Sequence, residues 1–395
     1  MSNLHSIGLR AKARQVNNMI SEKISREDAF ILWLMSLGIN SASGILAEGN
    51  FTSAEDVFRK PYDLRGIVPR DTIDKIAEYA NKGYIEKLIR SVSASMDTCA
   101  DMRFISYKNK DFPMRLSQIP ESPLGIFVRG ALPSPNLPAV AIVGTRNNTN
   151  YGGKTAEDLA KQLAEVGVVI ISGMALGLDA RAHEGALKGQ GDTVAVLPSG
   201  ADVCYPSQNH YIFKQILESG CIVSEFLPGT IPQKWEFLSR NRIVSGFADI
   251  LIVVEASARS GTSSTVNHAL NQGKDVFAVP GRITDKMSAG TNEFIKQGAH
   301  ICTSYLDILL YLKNKSHLAA FFDAVNKEIT EDIVPQKLSL ASDEALVYAC
   351  MCHDPVTIDY IAYKTGLNLA KLNTILLEME LNGHIKKTAG KYNRS

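Results

Sequence analysis

Charge of one sign is what this chain most plainly lacks. Its 42 lysines and arginines face 41 aspartates and glutamates, a formal net charge of +1 over 395 residues. That balance excludes a uniformly basic protein that coats nucleic acid, so any grip on a polyanion has to come from a local patch. The six cysteines, Cys99, Cys204, Cys221, Cys302, Cys350 and Cys352, include no Cys-x-x-Cys pair. Cys350 and Cys352 are too close together for the usual zinc pairing, and His353 beside them finds no second pair of ligands. They read as reduced structural thiols, with no metal and no cofactor. Long apolar runs are missing too: a stretch such as 250–256 is far too short to span a bilayer. The first residues, MSNLHSIGLRAKARQ, hold no apolar core of signal-peptide length. These absences point to a cytoplasmic protein with no membrane partner.

What is present is enough for two or three domains, each with its own core. From about residue 24 to 88 the pattern is helical, with Phe30, Leu32, Leu34, Leu37 and Ile45 apolar. Gly38 and Gly44 suit tight turns between short helices. A glycine hairpin of this kind is able to cradle a DNA backbone, but a packing module fits the residues better. Residues 1–100 are read as a small helical domain. Residues 101–138 carry Pro113, Pro120, Pro123, Pro133, Pro135 and Pro138 and are expected to form a connector, because prolines at this density deny long helices.

From 139 to 312 apolar runs alternate with amphipathic stretches. Runs at 139–144 (AVAIVG), 168–173 (VVIISG), 193–197, 221–224, 249–255 and 275–279 predict strands. Residues 155–166 predict a helix, with Ala156, Leu159, Ala160, Leu163 and Val166 on one face. Near-continuous Val/Ile runs separated by helices imply the α/β class and a Rossmann-like, mostly parallel sheet covered on both faces. Residues 313–341 read as a linker. Three helical stretches and a closing Gly383-His384-Ile385-Lys386-Lys387 predict a winged-helix domain over 342–395. It holds six basic residues and six acidic ones. A neutral domain of this kind is at least as suited to gripping protein as DNA.

In an open parallel sheet, ligands bind beyond the carboxyl ends of the strands. The loops there are small, hydroxylated or glycine-bearing: Gly144-Thr145-Arg146 with 147–153, Ser172-Gly173 with 174–179, Pro198-Ser199-Gly200, and Arg259-Ser260-Gly261-Thr262. Several such loops on one rim make a phosphate-binding surface. A dinucleotide site is not supported, since Gly-x-Gly-x-x-Gly and an acid after the second strand are both missing. Gly153-Lys154-Thr155 resembles the end of a P-loop, but Asn148 stands where its first glycine belongs. Arg146, Lys234, Arg240, Arg242 and Arg259 supply the positive charge. Trp235 and Phe237 are interleaved with it, as single strands require: charge follows the backbone and flat rings stack on bases. Trp235 by itself fits a core position better, whereas Phe237, Arg146 and Arg242 fit a ligand surface. Asp179 and His183 share a helix face, and Ser172 would complete a Ser-His-Asp set. A helix cap and a local hydrogen bond explain that pair more simply, because no Gly-x-Ser-x-Gly elbow is present.

Taken in order, AIVGTR (141–146), YGGK (151–154), SGMALGLDARAHEGAL (172–187), Tyr205-Pro206, SEFLPGTIPQKWEFLSRNRIVSG (224–246), VVEASARSGTSST (253–265) and GKDVFAVPG (273–281) resemble the DNA-processing protein A family. The resemblance covers essentially all of 139–312. It extends more weakly to both ends, where the helical part is similar to a SAM-like or helix-hairpin-helix module and the last part to a winged helix. It implies a non-enzymatic, homodimeric recombination mediator. Such a protein binds and protects incoming single-stranded DNA during natural transformation and loads the RecA recombinase on it. The family's phosphate-binding arginine falls on Arg146, its basic and aromatic contacts on Lys234 and Phe237, and its R-N-R element on Arg240, Asn241 and Arg242. Ser172, Gly173, Arg259, Ser260 and Gly261 complete the expected DNA-binding set. Two rivals remain. One is a nucleotide phosphoribohydrolase-like enzyme on a similar Rossmann core, although Ala258-Arg259-Ser260-Gly261-Thr262 lacks that group's paired glycines. The other is a duplex-DNA regulator working through the winged helix.

Overall fold

Strand formation begins earlier than the sequence predicts. In the computed structural model, which describes residues 23–39, 51, 53–66, 68–81, 83–323, 342–349, 351, 356–388 and 390–394, the segment expected to be a connector holds two strands. They are β1 (Met102–Ser106) and β2 (Gly125–Gly130), and α5 (Met114–Ser117) lies between them. Prolines that deny helix do not deny a short strand, and Phe104, Ile105, Ile126, Phe127 and Val128 are all buried. Gly44, Ile45, Cys350, Cys352, His353 and residues 324–341 of the expected linker lie outside the described residues. The chain divides into two units, Met1–Phe322 and Asp323–Ser395.

In the first unit, α1 (Arg26–Ser36), α2 (Ala54–Arg59), α3 (Arg70–Asn81) and α4 (Tyr84–Thr98) precede the sheet. Ser25 caps α1 by accepting from Asp28 N, and the Asp28 carboxylate accepts from Ser25 N in return. The buried faces of these helices share one apolar core with Phe127 and Ile222 of the sheet and with Ile212 and Phe213. The helices pack chiefly on one another, with Phe30 and Trp33 of α1 against Phe58 of α2, and that core runs on to the sheet.

The expected strands follow as β3 (Ala139–Val143), β4 (Val169–Ser172), β5 (Thr193–Val196), β6 (Cys221–Ser224), β7 (Ile250–Val253) and β8 (Asp275–Ala278), with β9 (His300–Ile301) at the end. The nine strands form one sheet in the order β1-β2-β6-β5-β4-β3-β7-β8-β9. β1 and β2 pair antiparallel with each other, β2 pairs antiparallel with β6, and every other pairing is parallel. From β3 the chain winds outward to β6, then returns to the middle as β7 and winds the other way. The reversal between β3 and β7 is a topological switch point, where the flanking loops diverge and leave a crevice.

Alternation along each strand sorts the core into two layers. Ala139, Ala141 and Val143 face α9 (Lys234–Phe247) and α10 (Thr262–Asn271), together with Leu251 and Val253. Val140 and Ile142 face α6 (Asn150–Glu165) and α7 (Leu178–Lys188), together with Ile250 and Ile252. α8 (His210–Ser219), α11 (Ala289–Lys296) and α12 (Tyr305–Lys313) also belong to this unit. α6 starts five residues before the predicted helix. Thr149 caps it by accepting from Gly152 N, so Tyr151-Gly152-Gly153-Lys154 is a first helical turn and not a loop. Gly152 is needed there because a side chain would run into the buried Glu255 carboxylate, which accepts from Thr149 N at 2.9 Å.

The second unit holds α13 (Ser342–Ala349), β10 (Val356–Thr357), α14 (Ile358–Thr365), α15 (Leu369–Leu381), β11 (Ile385–Thr388) and β12 (Lys391–Arg394). Three helices and a small sheet in the order β10-β12-β11 are a winged helix. Its core is Val347, Ile361, Leu372, Leu376, Met379, Ile385 and Tyr392. Among the described residues of both units, no helix is long and apolar enough to cross a membrane.

At the amino ends of β3 and β7, a buried carboxylate ties distant segments together. Asp249 accepts from Arg115 at 3.1 and 3.0 Å and from Ala139 N at 2.8 Å, and it lies 3.1 Å from His317 Nε2. Asp249→Ala would leave Arg115 and the Ala139 amide without their partner. The expected loss is about 3 kcal/mol in urea unfolding. A loss below about 0.5 kcal/mol, the range of ordinary surface changes, would contradict this role.

Candidate nucleic-acid interface

The switch point is open as a cleft of about 620 Å³. Its floor is the carboxyl end of β3 with Gly144 and Thr145. One side is the 257–262 loop running into the first turn of α10, and the other is the exposed face of α9. On α9 the lining residues are Lys234, Phe237, Leu238, Asn241 and Val244, spaced by three or four along one helical stripe, together with Arg240 at its edge. The first turn of α10 adds the positive end of its dipole.

Seven residues expected from sequence do meet here: Arg146, Lys234, Phe237, Asn241, Arg259, Ser260 and Gly261. The Arg146 guanidinium sits 4.9 Å from the centre of the Phe237 ring, and the Tyr205 ring meets Phe237 at 5.7 Å with a 66° tilt. Ser260 Oγ accepts from Thr262 N at 3.2 Å, which shapes the entry to α10. Thr145, Tyr205 and Leu238 also line the cleft and were not singled out from sequence. Tyr205 is brought in by the loop after β5; its one signal was the Tyr-Pro pair.

Gly173 and Arg240 also belong to the cleft wall, but as construction. Arg240 is buried and donates to Gly173 O at 2.5 Å and to Val196 O, clamping α9 onto the ends of β4 and β5. A side chain on Gly173 would come within 2.7 Å of both Arg240 Nη2 and Asp179 Oδ2. Burial pulls the Arg240 guanidinium down to about 10; Asp179 opposes that shift and Arg146 adds to it. Burial likewise pushes the Asp179 carboxyl up, while the charges of Arg240 and Arg146 and the Ala175 and Gly173 amides pull it back.

Two expected ligands are corrected. Arg242 does not line the cleft: it is buried and paired with the equally buried Glu225, with Glu121 Oε2 at 3.7 Å. A helix turns about 100° per residue, so Arg240 and Arg242 cannot both face the cleft. Ser172 is buried, and its hydroxyl donates to Ile142 O at 2.6 Å inside the sheet. Trp235, expected in the core, is 53% exposed.

The imagined Ser-His-Asp set is not assembled. Ser172 is committed to Ile142, and His183 Nδ1 lies 2.8 Å from Thr193 Oγ1, which itself donates to Ile170 O. His183 Nε2 has no protein partner. Among the described residues, no group of three or more His, Cys, Asp or Glu side chains is placed to hold a metal ion.

Burial holds His183 neutral, down to about 3. A histidine with a lowered folded value takes up its proton on unfolding, so its contribution is full above about pH 6.5 and is lost as pH falls toward 3. In urea unfolding at stepped pH, wild type is expected to lose about 1.4 kcal/mol per pH unit more than His183→Gln below pH 6. Parallel pH profiles for the two proteins would show that this histidine is not buried neutral.

Comparison with known proteins identifies the family of the chain. The family model described as DNA recombination-mediator protein A matches residues 103–313, and that of the DprA winged helix domain matches 334–391. The DNA processing protein DprA of Streptococcus pneumoniae is 40% identical over 198 residues, 50% of this chain and 70% of that protein. Its namesake in Bacillus subtilis is 35% identical over 250 residues, 62% of this chain and 84% of the relative. The X-ray structure of the Streptococcus pneumoniae protein superposes with a TM-score of 0.56 at 31% identity, covering 73% of this chain and 98% of that one. Matched by that family's model over more than half its length, this chain is a member of the DNA recombination-mediator protein A family.

Proposed function

We propose that the chain binds single-stranded DNA in the β3/β7 cleft, protects it and, as a homodimer, presents it to the RecA recombinase during natural transformation. One observation carries the binding step. A chain with a net charge of +1 gathers Arg146, Lys234, Arg240 and Arg259 around a single cleft whose one acid, Asp179, is buried. Four cations against one carboxylate leave a local charge of about +3. Guanidinium groups and a helix N-terminus suit phosphate, and the aromatic residues on the same rim suit unpaired bases.

The 258–262 loop lacks the paired glycines of the nucleotide hydrolases, and the acid lining the cleft, Asp179, is buried against Arg240, so we read the cleft as a binding surface. The homodimer is supported by the apolar side chains at one edge of the sheet. β9 lies there with Ile301, and Leu306 and Leu310 of α12 are exposed close by in sequence. Exposed apolar side chains gathered at one end of a domain suit a contact between copies. Two clefts on one dimer would raise avidity without any new contact. RecA loading and the link to transformation rest on family membership.

Binding of labelled oligo-dT at stepped salt tests the first step. For about three neutralised phosphates, the slope of log K against log salt is expected near −2, and Arg146→Ala should shallow it by roughly 0.7. The matched duplex should bind more weakly. A salt-independent affinity, or unchanged binding by Arg146→Ala, would overturn the cleft as the site.

A further inference from the structure

Within the cleft, Phe237 is already occupied on its ring by the Arg146 guanidinium and the Tyr205 ring. Trp235, two residues earlier on the same helix, is the exposed aromatic of this segment. The indole is 53% exposed yet held in place. Its Nε1 donates to Gln233 Oε1 at 3.2 Å, and its ring meets Phe226 at 6.2 Å with a 77° tilt. Leaving a large apolar plane in water has a cost, so a fixed and uncovered indole points to something that covers it.

Position and charge say what that is. Leu238 stands three residues along α9 on the same side, is 50% exposed, and lines the cleft. Trp235 therefore continues the lip of the cleft instead of starting a separate surface. Lys234 lines the cleft next to it, while the neighbouring acid, Glu236, is buried and accepts from Gln233 N. A phosphate is welcome at this lip and no exposed carboxylate from that turn repels it.

We infer that Trp235 is a second stacking platform, which takes an unpaired base of the strand just outside the cleft while Lys234 faces an adjoining phosphate. This rests on the proposal that the strand's phosphates occupy the cleft. It extends the footprint by one base and adds strand selectivity, because a base inside a duplex has no free face to stack. Every base has such a face, so the platform is tolerant of sequence.

The chain provides its own reporter. It has two tryptophans, and Trp33 is fully buried in α1. Titrating the full chain with unlabelled oligo-dT, alongside anisotropy of a labelled strand, should quench the emission in step with binding. Trp235→Phe should abolish the quench and keep most of the affinity. Trp235→Ala should weaken oligo-dT binding roughly tenfold, about 1.4 kcal/mol. An abasic strand of the same length should bind wild type and Trp235→Ala equally, because the two deletions remove the same contact. Anisotropy that reports binding while emission stays flat and Trp235→Ala binds normally would overturn the platform and leave the cleft standing. No binding in either readout would overturn the cleft itself, and the platform with it.

Discussion

A buried guanidinium sets the geometry of this site. Arg240 reaches from α9 to the carbonyls of Gly173 and Val196, so one side chain ties the crossover helix to the ends of β4 and β5. With that contact fixed, helical periodicity dictates the rest. Lys234, Phe237, Leu238 and Asn241 fall on the cleft side and Arg242 falls off it, buried against Glu225; Trp235 shares the phase of Arg242 but lies two turns nearer the amino end of α9, where its side chain is exposed. The same cation is part of the cleft's positive potential. Construction and recognition share the residue, with Asp179 and the strand-end carbonyls compensating the cost of burying its charge.

The fold class was legible because parallel strands buried on both faces leave unbroken Val/Ile runs, and each of the six runs from 139 to 279 became a strand. The loops at the strand ends were legible for the same reason. β1 and β2 were not, since they sit among prolines and a strand of five or six residues between turns has little periodicity to show. The early start of α6 was hidden by Gly152 and Gly153, which read as loop residues. The structure requires a glycine at 152 for the close approach of Glu255, not for a turn.

Of the residues expected at the site, those in loops line the cleft and those on α9 do so only in part. A loop residue beside a strand end has few places to go, so Arg146, Arg259 and Ser260 met as expected. The segment Arg240-Asn241-Arg242 was taken as one charged element, but once helical its members point in different directions. Trp235 went the other way: bulk suggested the core, while its place in the first turn of α9 leaves it exposed. The second unit is neutral by sequence. On α15, Leu377 and Leu381 are exposed beside Glu378 and Glu380, a poor surface for a DNA groove.

The central claim is that the β3/β7 cleft is where the strand lies. Hydrogen exchange of the full chain with and without oligo-dT tests it most directly. Slowed exchange centred on residues 144–147, 234–241 and 259–263 is the expected result. Protection confined to the helices of 26–98, or to the winged helix of 342–394, would contradict it.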